Sequence, residues 1–192
     1  MSSIYKKRIL IERFDKNHLK NPIYISWLSD KDNLISLNLI DYLINPVTEE
    51  KLELYFQSFE SNSKNNLFAL TLLETGQFIG TLTLREIGHM GLFDLGILIG
   101  EKSLRGKGLA RESIHDIVNY AFLKLGARKI TSSFPCNNYS VMLAFLKNEF
   151  RIEGLQRDQQ ISIDETLSDR YIVGLLSTDF FKVKQLAEIS LV

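Results

Sequence analysis

The sequence runs to 192 residues, 45% hydrophobic and 24% charged, the proportions of an ordinary globular protein with room for a sizeable core in one domain over 1–192. Lys+Arg and Asp+Glu each number 23, so the formal charge is zero and the electrostatic footprint of a non-specific nucleic-acid binder is missing. A single cysteine, Cys136, excludes an intrachain disulfide and suits a reducing, cytoplasmic setting, while the scattered His18, His89 and His115 give no metal-ligand spacing. No apolar run reaches the roughly 18–20 residues that span a bilayer, and residues 1–13 lack the apolar stretch and cleavage site of a signal peptide.

Residues 9–14 read as a first strand, and 16–28 as a helix with Tyr24, Trp27 and Leu28 at i, i+3, i+4 spacing. Residues 33–45 are apolar without a clean period, and Asn45-Pro46 breaks them. Thr48 caps a second helix, where Glu49 and Glu50 suit the positive end of the dipole and Leu52, Tyr55, Phe56 and Phe59 form a buried stripe. Residues 67–73, 78–87 and 92–99 are β-favouring runs joined by short turns, so they pair antiparallel. A Gly- and Lys-rich loop over 100–107 then leads into a long helix over 108–125, whose apolar residues hold the helical period throughout. A strand over 129–134 completes a strand–helix–strand unit, which requires a parallel pair. A helix over 138–147 and closing strands over 150–163 and 171–176 finish a mixed α/β domain without linker or repeat.

The segment that points to chemistry is Gly96-Ile-Leu-Ile-Gly-Glu-Lys-Ser-Leu-Arg-Gly-Lys-Gly-Leu-Ala110, which runs from a strand through a glycine loop into a helix start. Free backbone N–H groups and the positive end of a helix dipole suit a phosphate there, and Arg105 and Lys107 add charge unless they form only a solvated basic loop. A P-loop needs four residues between its glycines followed by Gly-Lys-Ser/Thr. Here five residues separate Gly100 from Gly106, and Gly108 stands where the magnesium-binding hydroxyl belongs. A dinucleotide fingerprint fails too, because Gly106-Lys-Gly-Leu-Ala ends at Arg111 and follows an antiparallel meander.

Arg105-Gly-Lys-Gly108-Leu-Ala110 resembles the Q/R-x-x-G-x-G/A signature of the GCN5-related N-acetyltransferases (GNAT). The wider run, with Glu112 after it, is similar to the ribosomal-protein and amino-sugar acetyltransferase (RimJ/RimL-like) branch of that family. Asn137 or Asn138, then Ser140, Phe150, Glu153 and Gly154 resemble the later family motifs in their order. Two departures stand out: Glu149 replaces the usual glycine before the phenylalanine, and Phe145 stands where many relatives carry a tyrosine general acid.

The resemblance implies a single-domain GNAT fold, with a six- to seven-stranded mixed sheet, helices on both faces, and a splay between the fourth and fifth strands. It implies acetyl-CoA as co-substrate without a metal, its pyrophosphate on the N–H groups around Arg105, Gly106, Lys107, Gly108, Leu109 and Ala110, and Asn137 or Asn138 nearby. The pantetheine arm is expected along Ile97, Leu98 and Ile99, like an added strand. An amine that attacks the thioester must first lose a proton, since its reference pKa is about 10.4. Asp94 is the first candidate for the base and Glu86 the second, against the plainer reading of Asp94 as a solvated strand-end carboxylate. Ser140 is the candidate acid for the leaving thiolate, against the plainer reading of a helix N-cap. The acceptor implied is the amine of a nucleotide-linked sugar or a protein N-terminus, in an enzyme whose relatives are often homodimers. The competing reading is a non-catalytic acyl-CoA-binding regulator.

Overall fold

Pro22 has no N–H to donate and cannot continue a helix, so the first helical stretch divides at Asn21-Pro22. The computed structural model, which describes residues 7–37, 39, 41–161 and 166–189, shows two short helices there, α1 (Lys16–Leu19) and α2 (Pro22–Trp27). Each has a side-chain cap: Asp15 accepts from the His18 amide at 3.0 Å, and Asn21 from the Ile23 amide at 3.0 Å. The aperiodic stretch that follows resolves into α3 (Lys31–Ser36) and α4 (Asp41–Ile44), too short to show a helical period. Then comes α5 (Glu49–Glu60), capped by Thr48 as its sequence leads one to expect.

The strands are β1 (Ile9–Arg13), β2 (Asn66–Leu72), β3 (Phe78–Glu86), β4 (Leu92–Ile99), β5 (Lys129–Pro135), β6 (Arg151–Ile161) and β7 (Leu167–Leu176), in spatial order β1-β2-β3-β4-β5-β7-β6. Residues 162–163, read as the end of a strand, lie outside the described residues. Between β4 and β5 runs α6 (Leu109–Lys124), and α7 (Tyr139–Leu146) follows β5. A final helix, α8 (Ser177–Ile189), continues directly from β7 where the sequence reading placed no element; its Phe180 stacks on Phe122 of α6 at 4.7 Å. No helix among the described residues is long and apolar enough to cross a membrane.

Each face of the sheet has its own core. On one, Ile114, Ile117, Val118, Ala121 and Phe122 of α6 pack with Leu70, Ile79, Leu82 and Leu95. On the other, Leu52, Phe56 and Phe59 of α5 pack with Tyr24, Trp27, Leu67, Ala69 and Leu98. Buried Glu112 ties the first strand to α6, accepting from the backbone of Arg8 at 2.6 Å, from Arg8 Nε at 2.9 Å and from the backbone of Ile9 at 3.2 Å.

The feature that positions the site is the parallel pairing of β4 with β5, which lasts only three rungs: Leu92 with Lys129, Phe93 with Ile130, and Asp94 with Thr131. Beyond Asp94 both strands continue without pairing to each other. The sheet therefore splits at that residue.

Candidate active site

The split leaves a row of backbone donors. Neighbouring residues of an antiparallel strand turn their N–H groups to opposite sides. Ile87 donates to the Leu92 carbonyl at 2.8 Å and Gly100 to the Ile79 carbonyl at 2.9 Å, and the β3–β4 register between them is unbroken. The even-numbered residues from Leu92 to Gly100 thus serve β3, and the N–H groups of Leu95, Ile97 and Ile99 turn away from it, into the cleft that β5 has left.

From Ile99 the chain passes through a 3-10 turn (Lys102–Leu104) and enters α6 at Leu109. Gly106 and Gly108 both adopt the left-handed conformation, with φ of +74° and +79°, which costs a side-chain-bearing residue about 1–2 kcal/mol. Gly108 is also the N-cap, and it has no side chain to satisfy the first amides of α6. Those amides stay available to an anion, at the positive end of a 16-residue helix. The loop is anchored from the side: Lys102 pairs with Asp30 at 2.7 Å and Asp32 at 3.0 Å, and Arg105 donates to the Ile99 carbonyl at 2.9 Å and to the buried Asn33 side chain of α3. The Arg105 guanidinium thus holds the loop's own shape.

The cleft and loop enclose a cavity of about 750 Å³. Ile97, Ile99, Arg105, Gly106, Gly108, Leu109, Ala110, Asn137, Asn138 and Ser140 all line it. Two residues expected with them do not. Leu98 sits one position out of phase: its N–H serves β3, and its side chain lies in the α5-face core and on the wall of a second cavity. Lys107 lies off the wall, and its carbonyl accepts from Arg8 at 3.1 Å. The sequence reading missed two cations on the wall, Arg111 and Lys147. Arg111 belongs to the first turn of α6, one residue beyond the loop motif. Lys147 ends α7, and only the packing of α6 against α7 brings it to the same opening.

The N-cap of α7 is Asn138, which accepts from the Val141 amide at 3.3 Å and donates to Ser36 at 2.9 Å. Ser140 is therefore not the cap; it is exposed in the first turn, on the cavity wall. Phe145 is fully buried, stacked on Phe134 at 5.6 Å, so no hydroxyl stands at that place.

A smaller cavity of about 310 Å³ adjoins the first and shares Ser36, Ile97 and Val141 with it. Half-buried Asp94 lies on its wall, at the last rung before the split. Burial raises its pKa, against the downward pull of Arg85 and Arg170. Arg85 lies opposite Asp94 on β3, its guanidinium 4.0 Å from the ring of Phe59. Arg170 of β7, 5% exposed, also lines this cavity; it donates to Gln160 Oε1 at 2.7 Å and the Ser133 carbonyl at 2.7 Å. Glu86, the second base candidate, is corrected here. It lines neither cavity, accepts from the Gly91 amide at 3.0 Å, and pairs with Lys64 at 2.7 Å, which holds its carboxyl below the usual range. Its place at the end of β3 makes it part of the β3–β4 turn.

Split sheet, outward amides and glycine-capped helix together have the arrangement that the loop's resemblance leads one to expect. Residues 8–151 match the family model described as an acetyltransferase (GNAT) domain. The chain belongs to the GNAT acetyltransferase family and is an acyltransferase. It is 21% identical over 181 residues to the uncharacterized N-acetyltransferase p20 of Bacillus licheniformis, covering 94% of this chain and 99% of that one. Its fold is similar to the spermidine N-acetyltransferase of Vibrio cholerae solved with CoA and spermine (TM-score 0.78, 16% identity, 91% of this chain and 98% of that one). It is similar also to a ribosomal-protein-S5-alanine acetyltransferase of Vibrio fischeri (TM-score 0.72, 12% identity, 91% and 96%). These two neighbours are named for different acceptors on one fold.

Proposed function

We propose that the chain transfers the acetyl group of acetyl-CoA to a primary amine by direct attack of the amine on the thioester. The observation that carries this reading is the meeting of the two cavities beside Ile97, with a carboxylate, Asp94, facing the smaller one. The larger cavity takes the CoA portion. The first amides of α6 receive its pyrophosphate, Arg111 and Lys147 supply countercharge, and the outward N–H groups of Ile97 and Ile99 hold the pantetheine arm as an added strand. An N–H at this edge also meets the thioester oxygen as it gains negative charge, so the donor is in place before the charge develops.

The smaller cavity takes the amine, which arrives as an ammonium. Asp94 accepts one proton, and burial makes it a stronger base than an exposed carboxylate. The freed nitrogen attacks the carbonyl carbon; its C–N bond forms as the C–S bond breaks, and the second nitrogen proton passes to the thiolate. Ser140, relieved of capping by Asn138, is assigned to donate a hydrogen bond to that sulfur. The buried Phe145 leaves no tyrosine for the task.

The test is release of CoA thiol with acetyl-CoA and a panel of amines. The panel contains a polyamine, a nucleotide-linked amino sugar and a peptide N-terminus, the last two being the acceptors implied by the resemblance to the RimJ/RimL-like branch. Amine-dependent release that falls by about 10²–10⁴ in Asp94→Asn supports the reading. Tight acetyl-CoA binding without release for any amine would overturn it in favour of a non-catalytic acyl-CoA sensor.

A further inference from the structure

The smaller cavity has an unusual balance of charge. Among the described residues that line it, Asp94 is the only carboxylate and Arg170 the only cation. Arg170 is 5% exposed, and among the described residues its hydrogen-bond partners are all neutral: Gln160 Oε1 at 2.7 Å, the Ser133 carbonyl at 2.7 Å and the Ser133 hydroxyl at 3.2 Å. Gln160, itself 1% exposed, donates in turn to the Ile35 carbonyl, so the guanidinium is fixed from behind. A buried cation without an anion in contact is costly, and natural sites keep one where a ligand supplies the missing charge. Asp94 and Arg170 influence each other electrostatically across the cavity yet form no ion pair. The remaining wall is apolar or hydroxylated, with Leu28, Leu39, Leu52, Tyr24, Tyr42 and Tyr55. At about 310 Å³ the space is at the lower end of the roughly 300–1,000 Å³ of small-molecule sites.

We propose that the acceptor is a small zwitterion, a free α-amino acid with an apolar side chain, whose carboxylate pairs with Arg170 while its ammonium faces Asp94. This rests on the acetyl-transfer reading above and gives it a substrate class. An anion and a cation that line one space without pairing are complementary to a small molecule that carries both opposite charges. Guanidinium binds carboxylate through two parallel hydrogen bonds. A polyamine is the wrong guest, since it brings several cations to one carboxylate and a buried arginine. The step balances as before: the ammonium gives one proton to Asp94, C–N forms as C–S breaks, and the second proton goes to the CoA thiolate. The products are an N-acetyl amino acid and free CoA.

The experiment compares kcat/KM of the wild-type chain, with acetyl-CoA, for leucine, methionine and phenylalanine against isopentylamine, 3-methylthiopropylamine and phenethylamine, their decarboxylated counterparts. Spermidine, a nucleotide-linked amino sugar and a peptide N-terminus are run alongside, and products are identified by mass. The amino acids are expected to exceed their amines by roughly 10- to 100-fold, the range of a hydrogen bond to a charged group. Arg170→Gln should erase that preference while the acetyl-CoA melting shift stays. The wild-type comparison decides the matter even if this variant fails to fold. Equal or better turnover of the decarboxylated amines, or preference for spermidine, the sugar or the peptide, would overturn the zwitterion and leave acetyl transfer standing. No release with any amine would remove both.

Discussion

Asp94 carries a stability cost, and the proposed function gives it a chemical role. Burial raises its pKa despite two nearby arginines, so ionising it inside the fold is unfavourable on balance. That cost is present in full above the pKa of the folded state and disappears below the unfolded value of about 3.9. Asp94→Asn should therefore melt higher than wild type at pH 7, with the difference closing as the pH falls toward 4, while turnover drops by about 10²–10⁴. A carboxylate serving only structure would give a lower melting temperature instead. Glu149 is the other informative residue. The family resemblance expects glycine there, and the backbone shows why, with φ of +67° just after α7. Glu149→Gly should stabilise the chain by about 1 kcal/mol in urea unfolding, with activity unchanged. Both residues could be picked out from the sequence, but the conformation that explains the second was not written in its own identity. Glu86 was misjudged because a strand-end carboxylate looks the same in sequence whether it faces a cleft or a lysine.

At the scale of elements, α6 was legible because an unbroken apolar period ran through 16 residues, and the meander because its turns are glycine-rich. The helices α3 and α4 were not, since four to six residues cannot display a period and their order comes from caps and packing; α1 and α2 were read as one helix, without the break at Pro22. Phase within β4 escaped notice for a related reason. A strand named as a binding edge does not reveal which of its amides are free until the register with β3 is known. That register gives a residue-resolved expectation: acetyl-CoA should slow hydrogen exchange at Ile97 and Ile99, and leave Leu98, already bonded to β3, unchanged. Exchange slowed equally along the strand would contradict the added-strand arrangement. The cations at the junction of α6 and α7 make a further case. Arg111→Ala and Lys147→Ala should each weaken acetyl-CoA by about tenfold in calorimetry at low salt, and less at high salt.

For the whole molecule, the strand order and the three-rung contact between β4 and β5 convert one sheet into two cavities joined at Ile97. The proposed carrier side was foreseeable, because its donors are backbone groups of one contiguous segment. The proposed acceptor side was not, because its walls come from α2, α3, α4, α5, α7, β3, β4, β5 and β7, and Arg170 lies 76 positions from Asp94. Acetyl-CoA should stabilise the chain in proportion to its occupancy, by about 2.7 kcal/mol at a hundred times its Kd. The most direct test is calorimetric titration of acetyl-CoA into the wild type and into Gly108→Glu, a change that adds strain and a negative charge at the start of α6. The account predicts saturable one-to-one binding to the wild type and none to the variant, with the variant still folded by circular dichroism. Binding absent from the wild type, or undiminished in the folded variant, would contradict it.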